Sequence, residues 1–103
     1  MIIYSVSVSI DKKIADEWKS WMLSKHIPDV MATGCFEGYQ MSKMLEPTVD
    51  DEADTYNIQY KCVSMEILDK YRNEFSPALQ AEHSEKYKGR FAAFRSILEV
   101  AGL

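Results

Sequence analysis

Lys25-His26-Ile27-Pro28-Asp29-Val30-Met31-Ala32-Thr33-Gly34-Cys35-Phe36 is the stretch that decides how this chain folds. It converts an aromatic-rich helix into a strand and carries one of the chain's two histidines. Proline fixes its own φ and lacks a backbone N–H, which predicts an interrupted helix at Pro28. Glycine adopts the left-handed conformation that closes many helices, and Gly34 stands where such a close is needed. The expectation is a first helix ending near His26, a short helical turn starting at Pro28, and a strand beginning at Cys35. His26 then lies at a helix end beside a sheet edge, where a cleft can form.

The flanking segments supply the partners. Ile2, Tyr4, Val6, Val8 and Ile10 alternate with Ser5, Ser7 and Ser9, the period-two pattern of a strand with one core face. Asp11 is placed to cap the following helix. Ile14, Trp18, Trp21, Met22 and Lys25 recur at helical spacing, an amphipathic stripe suited to covering a sheet. Cys35 to Leu45 reads as the second strand, with Gly38 marking a bulge or close approach. Glu46 to Asp54, with Pro47 and five acids, reads as the solvated loop of a long hairpin. Its carboxylates lack the alternating ligands and central glycine of a calcium loop.

Tyr56, Ile58, Tyr60 and Cys62 form the core face of a third strand. Ser64 caps a helix running to Phe75, with Met65, Leu68, Tyr71, Arg72 and Phe75 inward. Ser76-Pro77 restarts it as a second piece, Ala78 to Tyr87, which Gly89 ends. Phe91 to Val100 is the last strand, with Phe94 and Leu98 on one side and Phe91, Arg95 and Ile97 on the other. The order is β-α-β-β-α-β, a single ferredoxin-like α+β domain over residues 1–103 with two helices on one face of a four-stranded antiparallel sheet.

Composition narrows the function classes. A chain of 103 residues supports one domain, and 47% apolar with 27% charged residues suits a packed globule. The net charge of −4, without a basic cluster, argues against nucleic acid. No apolar run approaches the roughly 20 residues of a membrane helix, and no basic segment followed by an apolar run marks a leader. These features predict a cytoplasmic protein that binds neither nucleic acid nor membrane. Cys35 and Cys62 match no metal spacing and no C-x-x-C motif, so both are expected to be reduced.

Two helices cover only one sheet face. The other is expected to show Ser5, Ser7, Ser9, Asn57, Gln59 and Lys61, together with Tyr39, Met41, Arg95 and Ile97. Such a face either meets water or faces a second sheet and encloses a partly wet cavity. The second alternative makes the chain a homodimer, a dimeric α+β barrel.

The run from Trp18 to Phe36, with its histidine, proline and glycine-aromatic pair, resembles the first helix and second-strand opening of dimeric α+β barrel proteins. Met1-Ile-Ile-Tyr4, His26-Ile-Pro-Asp-Val30, Ala32-Thr-Gly-Cys-Phe36, Phe75-Ser-Pro-Ala-Leu79, Ala81-Glu-His83 and Arg90-Phe-Ala-Ala-Phe-Arg95 together resemble a family of short bacterial proteins of unknown function. The resemblance spans nearly the whole chain and implies the fold. The wider superfamily includes cofactor-free oxygenases, haem-handling proteins, isomerase-like enzymes and binding modules, and a fold so widely shared does not choose among them.

The chemistry-bearing residues are few. His26 is the candidate proton carrier, against a structural role at a helix C-terminus. His83 shares a helix face with Tyr87 but not with adjacent Glu82, and is expected at a surface or interface. Both histidines lie near proline-marked helix junctions, which leaves open whether they meet. Arg95, in a strand, calls for a carboxylate partner or an anionic ligand. The first reading is a homodimer holding a small organic ligand through Arg95, Tyr39, Gln59, Asn57 and His83, with His26 catalytic if it is a cofactor-independent enzyme. No metal and no cofactor are expected. The alternative is a non-enzymatic dimerisation or regulatory module without a pocket, and a third, weaker reading is haem held by His26.

Overall fold

Strand β1 (Ile2–Asp11) occupies an inner position of a four-stranded antiparallel sheet of order β2-β3-β1-β4. The computed structural model describes every residue except Val49 and Leu103. Val49 belongs to the expected hairpin loop, so that part of the loop lies outside the described residues. The other strands are β2 (Gly38–Lys43), β3 (Ala53–Cys62) and β4 (Phe91–Glu99). β2 is shorter than the expected Cys35–Leu45, although backbone bonds from Glu37 to Lys61 and from Met44 to Thr55 extend its pairing by one residue at each end. Cys35 and Phe36 are buried ahead of it instead. The Phe36 ring lies edge-on to Tyr71, centroids 4.7 Å apart.

Helical structure joins β1 to β2. Asp11 Oδ1 accepts from the Lys13 N–H and opens a 3-10 turn, Lys12–Ile14. Helix α1 (Ala15–Trp21), a π turn (Met22–His26) and α2 (Ile27–Ala32) follow without a break. The interruption expected at Pro28 is therefore a widened turn rather than a stop. The Ile27 N–H bonds the Met22 carbonyl, five residues back. A proline ring clashes with the carbonyl four residues earlier, and the wider turn gives Pro28 room while the helical path continues. Gly34, at φ 75, then turns the chain away.

Between β3 and β4 the Ser64 hydroxyl accepts from Ile67 N–H and caps α3 (Met65–Glu74); α4 (Ser76–Lys86) restarts with Pro77 in its first turn. Trp18, Ile27, Val30 and Leu68 pack from the helices onto Ile10, Ile58 and Cys62 of the sheet, all of them essentially inaccessible. Each such apolar side chain contributes about 1.5–3 kcal/mol. Cys35 and Cys62 are buried and unpaired. Among the described residues no helix is long and apolar enough to cross a membrane.

Register settles which residues share a face, because antiparallel partners point the same way. Val6 pairs with Ile58 and with Arg95, and Tyr4 with Tyr60 and with Ile97. Tyr39 pairs with Tyr60 and Met41 with Ile58. Tyr39, Met41, Arg95 and Ile97 therefore lie on the helix side, which corrects their expected place on the open face. The open face carries Ser5, Ser7, Ser9, Thr55, Asn57, Gln59, Gln40, Ser42, Phe94 and Leu98.

Candidate functional site

His26 is the last residue of the π turn. Wide turns of this kind recur at functional sites because they re-aim a side chain out of helical phase. Here the His26 ring meets Trp21, centroids 5.4 Å apart, and the ring of His83 from α4 at 5.8 Å. The two histidines thus meet, through the approach of the π turn to α4. His83 is 8% exposed, which removes the surface half of its expected place at a surface or interface. Its Nε2 accepts from Trp18 Nε1–H at 2.9 Å, and its ring lies edge-to-face on Phe91 at 4.6 Å. The buried indole needs an acceptor, and this one draws His83 inside.

Burial is the main cause that lowers both imidazole pKa values. His83 is pushed down to about 4, with nearby His26 and Arg95 adding to the effect. His26 is also lowered by burial, partly opposed by Glu82 and Asp29. Tyr71 is held protonated by burial and by neighbouring Tyr4. At neutral pH the site therefore holds neutral imidazoles and a neutral phenol.

A cavity lies between the histidines and the sheet. Val6, Val8 and Tyr60 form its floor, and His26, Leu79 and His83 its roof. The space open to the centre of a water molecule is about 40 Å³, more than the roughly 10–15 Å³ that one ordered water occupies. Tyr4, Gln80 and Arg95 border both this cavity and an open groove of about 440 Å³ toward the edge of β4. Among the described residues, buried His26 Nδ1 and Tyr87 Oη have no hydrogen-bond partner.

The other sequence candidates are elsewhere. Asn57 sits on the open face, where its Nδ2 donates to Ser5 Oγ at 2.9 Å and Ser7 Oγ at 3.1 Å. Gln59 shares that face opposite Ser5, so the sheet separates both from the histidines. Tyr39 is on the helix side but at the edge strand, 42% exposed and away from the cavity wall. Trp18, Gln80 and Tyr71 belong to the site as well, although the sequence pattern marks Trp18 and Tyr71 only as core and gives Gln80 no role. The one sequence signal was Trp18, whose N–H requires a partner wherever it is buried. Among the described residues no group of three or more His, Cys, Asp or Glu is placed to hold a metal ion. The space beside His26, about 40 Å³ as the side chains stand, is far below the roughly 300 Å³ of a typical ligand pocket, so it offers no ready slot for a porphyrin.

The four-stranded antiparallel sheet with helices on one face is a ferredoxin-like α+β fold that matches structures of the dimeric α+β barrel class. Residues 1–101 match the family model described as "Domain of unknown function (DUF4286)", and the chain belongs to that family. No curated protein matches it in sequence. Among solved structures, HapK from Hahella chejuensis aligns at TM-score 0.71 and 12% identity, over 100% of this chain and 95% of that one. A variant of MhuD with two manganese protoporphyrin IX molecules bound per active site aligns at 0.67 and 17% identity, over 100% and 97% of the two chains. A variant of SnoaB, a cofactor-independent oxygenase from Streptomyces nogalater, aligns at 0.62 and 8% identity, over 99% and 95%. At these identities the likeness is one of fold.

Proposed function

We propose that this chain is a cytoplasmic homodimer, joined through its open sheet face, that binds a small organic molecule in the cavity beside His26. His26 serves there as the proton carrier of a cofactor-independent reaction. The observation that supports this reading is the pair of histidines lining one cavity, of which His26 has a buried Nδ1 without a hydrogen-bond partner among the described residues. Leaving such an atom unpaired costs about 1–3 kcal/mol, a cost that a small rotation of the ring toward a ligand group would relieve. A neutral imidazole is the form a general base requires, and burial keeps His26 in that form. His83 is held in place by Trp18, and Arg95 supplies positive charge at the cavity rim, where it stabilises negative charge developing on a ligand. Asn57, Gln59 and Tyr39 take no part in this reading.

Ligand-observed NMR with a library of small organic acids, ketones and phenols tests it. The expected result is a ligand that wild-type protein binds and His26→Gln binds about tenfold more weakly, with the urea midpoint unchanged. A library without a binder, or binders indifferent to His26→Gln, overturns it. The small enclosed volume, about 40 Å³, favours a second reading as a non-enzymatic association module, for which a dimer without any binder is the expected outcome.

A further inference from the structure

Arg95 projects from β4 on the histidine side of the sheet, where its register partner is Val6. It has no ion-pair partner among the described residues. It stands at the junction of the cavity and the groove. Arg72 of α3 lines the same groove with Ser76 and Gln80, and among the described residues no carboxylate lines either space. That absence stands out in a chain with 16 acidic and 12 basic residues. The inner cavity is small, about 40 Å³, and mixed in character: Val6, Val8, Leu79 and Phe91 line it beside the histidines, Gln80 and the tyrosines Tyr4, Tyr60 and Tyr71.

We infer that the site takes a slender, short-chain carboxylic acid, its carboxylate bound by Arg95 at the junction and its tail directed into the cavity toward His26. The inference rests on the proposed function and adds the ligand's charge and shape. A guanidinium matches a carboxylate with two parallel N–H···O bonds, so Arg95 recognises the head group. Arg72, already paired with Asp69 at 2.5 Å, adds a weaker field from across the groove. A cavity of about 40 Å³ admits a short unbranched tail and excludes a bulky ring.

Sodium butyrate and its neutral analogue butyramide are the probes, titrated at constant ionic strength into the full chain labelled with ¹⁵N. The Trp18 indole N–H, hydrogen-bonded to His83 at the cavity wall, is the reporter. Butyrate is expected to move this signal at concentrations about tenfold below those needed for butyramide. Arg95→Gln removes that advantage, and Arg72→Gln lowers butyrate affinity about twofold, while neither changes the response to butyramide. Equal affinity for the two probes, or butyrate binding indifferent to Arg95→Gln, overturns the inference and leaves the cavity as a binding site. A Trp18 signal unmoved by either probe overturns the inference and removes support from the cavity reading as well.

Discussion

The indole N–H of Trp18 donates to Nε2 of His83 at 2.9 Å, joining α1 to α4 across 65 positions of sequence. An imidazole nitrogen that accepts carries no proton, so neutral His83 holds its proton on Nδ1. Protonating His83 turns Nε2 into a second donor facing the indole, which breaks the bond. Burial and the tryptophan therefore both favour neutral His83.

Trp18→Phe tests this link. It keeps most of the buried ring and leaves His83 Nε2 without its donor. The expected cost is about 1–3 kcal/mol, read as a lower urea midpoint at pH 7 with an unchanged slope. In ¹⁵N spectra of the histidine ring, the single tautomer of the wild type gives way to a mixture. An unchanged midpoint and an unchanged tautomer together show that the bond contributes nothing.

The same pair sets an acid dependence. Folding lowers the His83 pKa from its ordinary 6.5 to about 4. Between those values the unfolded chain binds a proton that the folded chain refuses, so stability rises with pH. It is fully present above pH 6.5 and is lost as pH falls toward 4. The full shift, discounted for solvent screening, is on the order of 2 kcal/mol. Urea unfolding at pH 7 and pH 4.5 measures the loss, and His83→Gln, which cannot titrate, shows a smaller one. A wild type and variant with the same pH slope contradict it.

Much of this was legible in the amino-acid order. The serine-isoleucine-valine alternation of β1 and the tyrosine-isoleucine alternation of β3 have one apolar face each, and both strands pack with that face inward. β4 has Phe91 and Ile97 on one side and Phe94 and Leu98 on the other, so its pattern does not say which side is core. Arg95 was placed on the open face for that reason. Pro28 signalled a disturbed helix, but whether a helix stops or widens depends on what packs around it. The burial of His83 depends on an indole 65 positions away, a dependence that no local pattern carries.

Gly34 at φ 75 turns the chain from α2 toward β2. A Cβ there meets nothing within 4 Å, so the cost of substitution is backbone strain alone. Gly34→Ala is expected to lose about 1 kcal/mol in thermal or urea unfolding. The histidine ring signals stay in place, because the strain is confined to the turn. A neutral substitution contradicts the left-handed assignment.

The open sheet face makes the remaining prediction. Ser5, Ser7 and Asn57 bond one another there, as do Ser9 and Thr55 at 2.8 Å, so these groups can be covered without losing a partner, while Gln40, Ser42 and Gln59 on the same face call for partners from the covering surface. Beside this network Phe94 is 69% exposed and Leu98 44% exposed. A partly paired polar network with amide side chains free to bond across, bordered by large apolar groups, suits a second copy of the same face, and a stable interface of that kind buries roughly 800 Å² per partner. Sedimentation equilibrium is expected to return the dimer mass for the wild type. Phe94→Glu places charges next to one another across the two-fold and shifts the mass to that of a monomer at micromolar concentration, while the Trp18 indole signal, on the far side of the sheet, is unchanged. A wild type that sediments as a monomer, or a Phe94→Glu variant that remains dimeric, rules this face out as the interface.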